Sequence, residues 1–367
     1  MAEKIVSPGV FTKEIDASFL PSAVGEIGAC VVGPTVKGPA MVPTVVTSYA
    51  EFQAKFGDTF KSGSNYYTYL TSTTAEQYLK HSGRLTVVRI LDGNYGGANS
   101  IIVTGSLNSG CTTHTGSADW GLVEDAANTS FKLNTIAHGA IMNNSANHTA
   151  GTGGENVPTG SNHLLLSGSS SNIRWEVSSV NPDKGTFTLL IRSGDDTSKR
   201  KQILETWNNL SLDPNSSNYI GKMIGDSRAS IAGSGTSDPY LTHLGQYPNK
   251  SKYIYVSDIN DTIDYLDENG EVREGAASMS LPGVGSGSYH GSFTGGSDGY
   301  GGFDALGNPQ GYTTGSQALY YDKISATNSQ GFKLSSITAN DGGAAYIDAL
   351  NLLSNADEYD INLILLP

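Results

Sequence analysis

Apolar and polar residues in the first part of the chain follow two periods, one typical of strands and one typical of helices. Residues 27–33 form a short apolar run bounded by glycine, which predicts a strand buried on both faces. A capping box that begins at Ser48 predicts a helix that ends at Gly57, and helical spacing predicts a second helix from about residue 65 to 81. Residues 85–91 predict the next strand. Strand, helix, helix and strand in this order indicate an α/β layer.

The middle and the end of the sequence carry further strand and helix patterns. Residues 172–178 and 186–192 are alternating or apolar runs, and the turn residues between them predict a β-hairpin. Residues 253–256 predict another strand. Near the end, residues 341–353 predict a helix, and residues 361–366 predict a strand apolar enough for the centre of a sheet.

Glycine, serine, asparagine and threonine interrupt these patterns and divide the sequence. Residues 282–302 hold nine glycines in 21 residues, which predicts a loop. We therefore predict a mixed α and β, multidomain chain, in which an α/β layer carries inserted β-rich domains. We predict five parts: an extended N-terminal arm (1–20), the first part of the α/β core (21–95), an outward-facing turn-rich insertion (96–165), a β-rich domain (166–330), and a helix and strand that return to the core (331–367). A C-terminal domain is expected to be absent.

Charge and composition narrow the classes of partner. The chain has 22 Lys and Arg against 35 Asp and Glu, a net charge of −13, and its single basic run is residues 199–201. Nucleic acid and anionic membranes need concentrated positive charge, so we expect neither as a partner. The N-terminus has no apolar signal-peptide region and no stretch approaches 18 apolar residues, which predicts neither secretion by a signal peptide nor membrane insertion. The 45 glycines and the 16% charged residues indicate a polar, β-rich surface of the kind found in assemblies.

One short motif matches a catalytic pattern. Gly295, Gly296, Ser297, Asp298 and Gly299 satisfy the G-x-S-x-G pattern of a nucleophile elbow. That chemistry needs a strand before the serine and a helix after it, and the flanking glycines predict neither. We therefore predict a turn with at least one glycine at positive φ, and no nucleophile.

The remaining candidate groups show no pattern of a metal site, a cofactor site or an enzyme. The seven histidines form no H-x-x-x-H pair, and none lies near a cysteine at ligand spacing. Cys30 and Cys111 are predicted to be small core residues rather than a disulfide or metal ligands. Asp195 and Asp196 follow a strand, in a turn where acidic pairs are usually solvated. Glycosidase chemistry stays open as an alternative, because its two carboxylates are often distant in sequence.

Four short stretches follow one another along the chain: Ser7–Glu14 with its S-P-G opening, Gly28–Pro39 continuing to the F-G at Phe56 and Gly57, Gly83–Ile90 with its V-V-R-I strand, and Phe293–Gly299 with G-G-S-D-G. In this order they make the sequence resemble the contractile tail sheath proteins of bacteriophages and of related contractile injection systems. The first 95 residues match closely, whereas residues from about 97 to 165 barely match. Each stretch is short, and their common order makes the resemblance specific.

The resemblance implies a structural subunit that stacks in rings around a tail tube and shortens on a signal from the baseplate. Its implied partners are other sheath subunits, the tail tube protein, and baseplate and tail terminator proteins. It implies no enzymatic activity and no cofactor, a place in the virion tail, and assembly in the host cytoplasm.

The N-terminal arm provides a candidate link between subunits. Val10, Phe11, Thr12, Lys13, Glu14 and Ile15 form a strand-like segment that has no pairing partner nearby in sequence. Such a segment can complete a sheet in a neighbouring subunit. Sheath chains continue beyond the position of residues 361–367 with a C-terminal domain, which this sequence does not match. We therefore expect an arm without an acceptor sheet and a monomer of about 38.5 kDa.

Two other classes of protein fit the composition. A carbohydrate-binding or carbohydrate-active β-rich protein would use the same abundance of tyrosine, asparagine and glycine. A capsid or tail-tube component is the other alternative. Binding to glycans separates the first alternative from a sheath subunit, and electron microscopy of assembled particles separates the second.

Overall fold

The computed structural model describes residues 28–62, 65–91, 93, 95–104, 129–144, 168–196, 200–273, 280–283, 290–291, 293, 295–298 and 343–367. The candidate arm strand Val10–Ile15 and Gly299 of the G-G-S-D-G motif lie outside the described residues.

Strands outnumber helices in the described part of the chain. The strands are β1 (Ala29–Gly33), β2 (Thr44–Val46), β3 (Thr59–Ser62), β4 (Asn65–Thr68), β5 (Leu85–Arg89), β6 (Tyr95–Val103), β7 (Thr129–His138), β8 (Ile173–Asn181), β9 (Thr186–Ser193), β10 (Ile203–Ser211), β11 (Arg228–Ala232), β12 (Tyr240–Leu244), β13 (Ile254–Ser257), β14 (His290–Gly291), β15 (Ser297–Asp298) and β16 (Leu363–Leu365). The helices are α1 (Tyr49–Phe56), α2 (Leu70–Leu79), α3 (Ile220–Met223) and α4 (Gly343–Leu353). This content confirms the predicted mixed α and β class.

The first sheet is covered by helices on both faces. Its strand order is β16-β1-β5-β2, with β1 parallel to β5 and β16 and with β2 antiparallel to β5. Val31 of β1 packs in a core cluster with Phe52 of α1. The preceding residue, Cys30, packs in a second cluster with Ala349 of α4, on the opposite face of the sheet. Every residue of β1 is buried, so the predicted strand between two layers is confirmed. We call this sheet and its helices the α/β layer.

Helix α1 begins and ends as its sequence predicts. The Ser48 hydroxyl accepts the backbone N–H of Glu51 at 3.2 Å, and the Glu51 carboxylate accepts the backbone N–H of Thr47 at 2.9 Å. At the other end Gly57 has a φ of 74°, where a Cβ atom would also lie 2.9 Å from Val36. Glycine is therefore required there both by backbone conformation and by space.

The predicted helix over residues 65–81 is wrong in its first turn. Residues 65–68 form β4, which pairs antiparallel with β3, and α2 begins only at Leu70. Neighbouring tyrosines and a threonine suit an exposed hairpin strand, and the Tyr66 side chain is 71% exposed. The spacing of the tyrosines is compatible with a helix, but hydrogen bonding to residues 59–62 stabilises the strand instead.

Two antiparallel sheets pack face to face and form what we call the sandwich. One has the strand order β10-β9-β8-β14 and contains the predicted hairpin, and the other has the order β13-β7-β6-β15. Between them the Phe131 and Phe187 rings stack with centroids 5.5 Å apart. The Trp175 indole N–H donates to the Ser100 hydroxyl at 2.8 Å, which satisfies a buried polar group inside this core.

The range 96–165, predicted as an outward-facing insertion, supplies two strands of the sandwich. β6 and β7 pair from Gly97 opposite His138 to Val103 opposite Thr129, and Ile102 is buried in the core. The domain limits stay a prediction, but this sheet combines strands from both sides of the limit placed at residue 165.

The last strand lies at an edge rather than at the centre of its sheet. Within the described residues β16 pairs only with β1, and the side chains of Leu363 and Leu366 are 42% and 44% exposed. Helix α4, over residues 343–353, matches its prediction. None of the described helices is long and apolar enough to cross a membrane.

Candidate functional site: a buried joint between layer and sandwich

The G-G-S-D part of the fourth motif forms an edge of the sandwich. Gly295 has a φ of 84°, as predicted for one glycine of this segment. Ser297 and Asp298 then pair antiparallel with Gly96 and Tyr95 of β6. The segment is therefore a positive-φ entry into a short strand, a context different from the strand-to-helix turn of a nucleophile elbow.

Two successive asparagines hold this segment. The Asn143 amide donates to the carbonyl of Gly296 and accepts its N–H, both at 2.8 Å. The Asn144 amide oxygen accepts the N–H of Phe293 at 2.6 Å, and the Asn144 backbone N–H donates to the Phe293 carbonyl at 3.0 Å. Both asparagines are buried, so the two amides satisfy backbone groups of Phe293 and Gly296 inside the protein.

The Asp298 carboxylate continues the contact toward the layer. Its Oδ1 accepts the backbone N–H of Ala140 at 3.1 Å, at the start of a 3₁₀ turn over Ala140–Met142. Gly139 precedes this turn with a φ of 106°, and a Cβ atom there would lie 2.3 Å from Asp298 Oδ1 and 3.2 Å from Nη2 of Arg89. The bare glycine therefore lets a carboxylate and a guanidinium approach the same backbone position.

Arg89 joins the layer to the sandwich. It is the last residue of β5 and is 2% exposed, and its Nη1 donates to the carbonyls of Gly38 at 2.8 Å and of His138 at 2.7 Å. The His138 backbone N–H donates to the Gly38 carbonyl at 3.0 Å, and the Arg89 carbonyl accepts from Met41 at 2.8 Å. One cationic side chain thus satisfies carbonyls of both parts of the molecule, with bonds that charge strengthens.

His138 is held in its neutral form at this joint. Its Nδ1 accepts the backbone N–H of Ala40 at 2.9 Å, which a proton on Nδ1 would prevent. Burial, followed by the positive charge of Arg89, lowers the pKa of His138 to about 4. The ring is therefore an acceptor at neutral pH and links residues 38–40 to the end of β7.

Residues from three of the four motifs of the resemblance meet in this joint. Gly38 comes from the second motif, Arg89 from the third, and Gly296 and Asp298 from the fourth. Sequence reasoning treated these motifs as separate and missed His138, Gly139, Asn143 and Asn144, which lie in the range predicted as an insertion. The adjacent pair of asparagines carries no signal that separates it from the many others in this chain, so sequence alone could not have identified it.

A second buried polar cluster lies on the other face of the β8–β9 hairpin. Arg192 donates to Asp196 at 2.6 Å and to Glu176 at 2.7 Å, Lys201 pairs with Glu176 at 2.5 Å, and Arg174 lies 3.3 Å from Asp196. The prediction that Asp196 is solvated is therefore wrong, because its side chain is fully buried against two arginines. Burial lowers the pKa of Arg174 to about 10. Removing one member of such a network typically costs about 3–5 kcal/mol, so this cluster acts on stability.

The described residues offer no grouping of three or more His, Cys, Asp or Glu side chains that could hold a metal ion. Cys30 is a free, buried thiol whose pKa burial raises to about 12, which fits a core residue. Cys111 lies outside the part of the chain that the structure describes.

Comparisons with known proteins give matches among solved structures. No family model and no curated protein matches the chain. The chain is similar to a sheath tail protein from Desulfitobacterium hafniense, with a TM-score of 0.35 and 13% identity, over 98% of this chain and 45% of that one. It is also similar to a sheath tail protein from Listeria innocua, with a TM-score of 0.31 and 10% identity, over 74% of this chain and 34% of that one. The chain thus spans less than half the length of either protein, and at these TM-scores the likeness carries no argument about its function.

Proposed function

We propose that this chain is a structural subunit of a contractile tail sheath of the bacteriophage type, part of a virion tail and assembled in the host cytoplasm. Copies stack in rings around a tail tube, and contraction of the rings drives the tube through the host envelope. Its partners are other sheath subunits, the tail tube protein, and baseplate and tail terminator proteins. The proposal includes no enzymatic activity, no cofactor, no nucleic acid and no membrane insertion.

The buried joint is the observation that carries this proposal. The resemblance to sheath proteins rests on short motifs scattered over almost 300 positions, and nothing in the sequence says why they should occur together. In the folded chain, Gly38, Arg89, Gly296 and Asp298 converge on the residues between His138 and Asn143. A shared structural role gives one physical reason for motifs of a single family to appear in one order.

The joint also fits what a sheath subunit must do mechanically. A ring that contracts by rotating its subunits needs each subunit to move as a rigid body, because packed interiors deform little and interfaces change instead. Arg89 and Asp298 tie the layer, the 3₁₀ turn and the edge of the sandwich through charge-assisted hydrogen bonds. Energy for contraction is then held in the contacts between subunits, and no nucleotide is needed.

Strand addition is the proposed link between copies. The arm strand Val10–Ile15 of one copy would complete a sheet in its neighbour. Among the described residues the outer edge of β16 has no strand beside it, and Ile364 is 39% exposed there. An exposed apolar edge is what strand addition requires, so β16 is a candidate acceptor that the sequence did not predict.

Immunogold electron microscopy tests the function directly. Antibodies raised against this chain are applied to tailed particles from the organism that encodes it, in the extended and the contracted state. A sheath subunit gives label on the outer layer that shortens with the tail and leaves the exposed tube unlabelled. Label on the bare tube or on the capsid would contradict the proposal. Specific binding of the purified chain to a glycan array, with no label on tails, would favour the carbohydrate alternative.

A further inference from the structure

A cleft of about 750 Å³ lies beside the joint, between the layer and the sandwich. Its lining includes Lys37, Lys55, Arg228 and Lys252, and no carboxylate side chain occurs among the described residues that line it. The whole chain has 35 acidic against 22 basic residues, so the sign of this surface is opposite to that of the chain. We call it the cation-lined cleft.

Three of its four cations form no ion pair with any residue that the structure describes. Lys55 pairs with Glu51 at 2.9 Å. Lys37, Arg228 and Lys252, in contrast, donate no side-chain hydrogen bond and form no ion pair within the described residues. Lys37 is half-buried, and burial lowers the pKa of its ammonium group. A partly desolvated cation without a partner is stabilised by any anion that comes to lie beside it.

The same chain carries a segment of the opposite charge, which we call the acidic loop. Residues 258–271 contain six carboxylates, Asp258, Asp261, Asp264, Asp267, Glu268 and Glu271, and no lysine or arginine. The loop has a fixed shape: the Asp267 carboxylate accepts the N–H groups of Asn269 and Glu271 at 2.8 and 2.9 Å, which builds the turn at its tip.

Within one copy the acidic loop is held away from the cation-lined cleft. Tyr253 and Tyr255, at the start of β13, line the cleft, and the loop follows the other end of β13 at Asp258. Along β13, five residue steps from Tyr253 to Asp258 span about 17 Å, and three steps from Tyr255 span about 10 Å. The loop is then fastened farther along, because the hydroxyl of Tyr265, a buried residue, donates to the Pro182 carbonyl in the β8–β9 turn at 2.6 Å.

We propose that the acidic loop of one copy docks in the cation-lined cleft of the next copy. The inference rests on the proposed assembly of copies and names one contact within it. The cleft lies at the start of β13 and the loop follows its end, so the two surfaces are different and the contact between copies is heterologous. Each copy contributes one loop and one cleft. Such contacts close into rings or continue as helical rows. Charge complementarity selects this occupant, because the loop tip is a compact acidic turn and three cations of the cleft form no ion pair among the described residues.

Charge reversal with rescue tests the contact. The cleft variant is Arg228→Glu with Lys252→Glu, and the loop variant is Glu268→Lys with Glu271→Lys; all four side chains are exposed, so the fold is expected to persist. Sedimentation equilibrium of the full chain measures self-association at about 0.02 M and about 0.5 M salt. In contrast to the monomer that the sequence predicts, we expect the wild-type chain to associate at low salt, because the acidic loop and the cation-lined cleft then meet between copies. Each variant should associate at least about tenfold more weakly.

Two further samples separate this contact from general charge effects. A chain that carries all four substitutions should regain association, because its reversed loop meets a reversed cleft. An equimolar mixture of the cleft and loop variants should also regain it, because the two reversed surfaces meet and the two unchanged surfaces meet. Asp357→Lys with Glu358→Lys changes the net charge as much as the loop variant does, at exposed positions outside both surfaces, and should associate as the wild-type chain does. A wild-type chain that does not associate at low salt, single variants that associate normally, or a mixture without rescue would each overturn the docking contact. None of these results would alter the immunogold labelling, so failure of the contact and failure of the sheath proposal are distinguishable.

Discussion

At the residue scale, the joint depends on side chains that replace backbone partners and on glycines that leave room for them. Asn143 occupies both hydrogen-bonding groups of Gly296, and Asp298 caps the turn at Ala140. Each of these contacts needs a close approach of side chain to backbone, which only a residue without Cβ permits at Gly139 and Gly296. Glycine in the G-G-S-D segment therefore serves packing as much as backbone conformation.

Gly296→Val should destabilise the protein, whereas Ser297→Ala should have little effect. A Cβ atom at residue 296 would lie 2.5 Å from the Gly139 carbonyl oxygen and 3.0 Å from the Asn143 side chain, so the backbone must shift. We expect a loss of about 1–3 kcal/mol in urea unfolding, as for other overpacked sites. Equal stability of the two variants would contradict this role, and covalent labelling of Ser297 by a fluorophosphonate probe would show a nucleophile instead.

His138 should make the protein less stable as the pH falls from about 6.5 to about 4. The folded-state pKa of His138 is lowered to about 4 from an ordinary value of 6.5, so the unfolded chain takes up the proton first. Its contribution is complete above pH 6.5 and falls by about 3 kcal/mol by pH 4. His138→Gln, which does not titrate, should flatten this part of the curve of unfolding free energy against pH. Parallel curves for the two proteins would exclude His138 as the cause.

At the element scale, periodicity predicted the elements whose pattern and burial agree, and failed where strand pairing decides the structure. β1, α1, the β8–β9 hairpin and α4 were all predicted, because each has an uninterrupted apolar pattern or explicit cap and turn residues. The first turn of the second helix was wrong because β4 is stabilised by its neighbour β3. The pairing of β6 with β7 and the convergence on Arg89 depend on contacts between distant residues, which no local pattern encodes.

As an outward-facing insertion, the range 96–165 was expected to tolerate deletion of residues 100–125. The pairing of β6 with β7 contradicts that expectation and limits removal to residues between the two strands. Val103 and Thr129 face each other at the end of the pair, so a short turn can join them. Replacing residues 106–127 with a short glycine and serine linker should leave a single cooperative unfolding transition. Deleting residues 100–125 should abolish it, because Ser100 and the buried Ile102 are lost from the sandwich. A stable, cooperative 100–125 deletion, measured by calorimetry, would contradict the core position of β6.

At the scale of the whole molecule, the central question is whether the layer and the sandwich behave as one body. Hydrogen bonds at His138 connect them at the joint: its carbonyl accepts from Arg89, its N–H donates to Gly38, and its ring accepts from Ala40. A rigid subunit is what contraction by rotation requires, so the strength of this joint bears directly on the proposed function. It also fixes the cation-lined cleft, whose walls come from both parts.

Arg89→Met should uncouple the two parts while keeping an apolar side chain of similar length. The substitution leaves the carbonyls of Gly38 and His138 without their charged donor, which costs about 3 kcal/mol. The chain provides separate reporters: Trp175 and Trp207 belong to the sandwich, whereas the long described helices α1, α2 and α4 belong to the layer. In the unsubstituted protein, tryptophan fluorescence and far-ultraviolet circular dichroism should give one coincident urea transition. In Arg89→Met the two transitions should separate, and Arg89→Lys, which retains a cation, should show a smaller separation. Coincident transitions in Arg89→Met would mean that apolar packing alone holds the two parts together, and the joint would then have no role in the rigidity of the subunit.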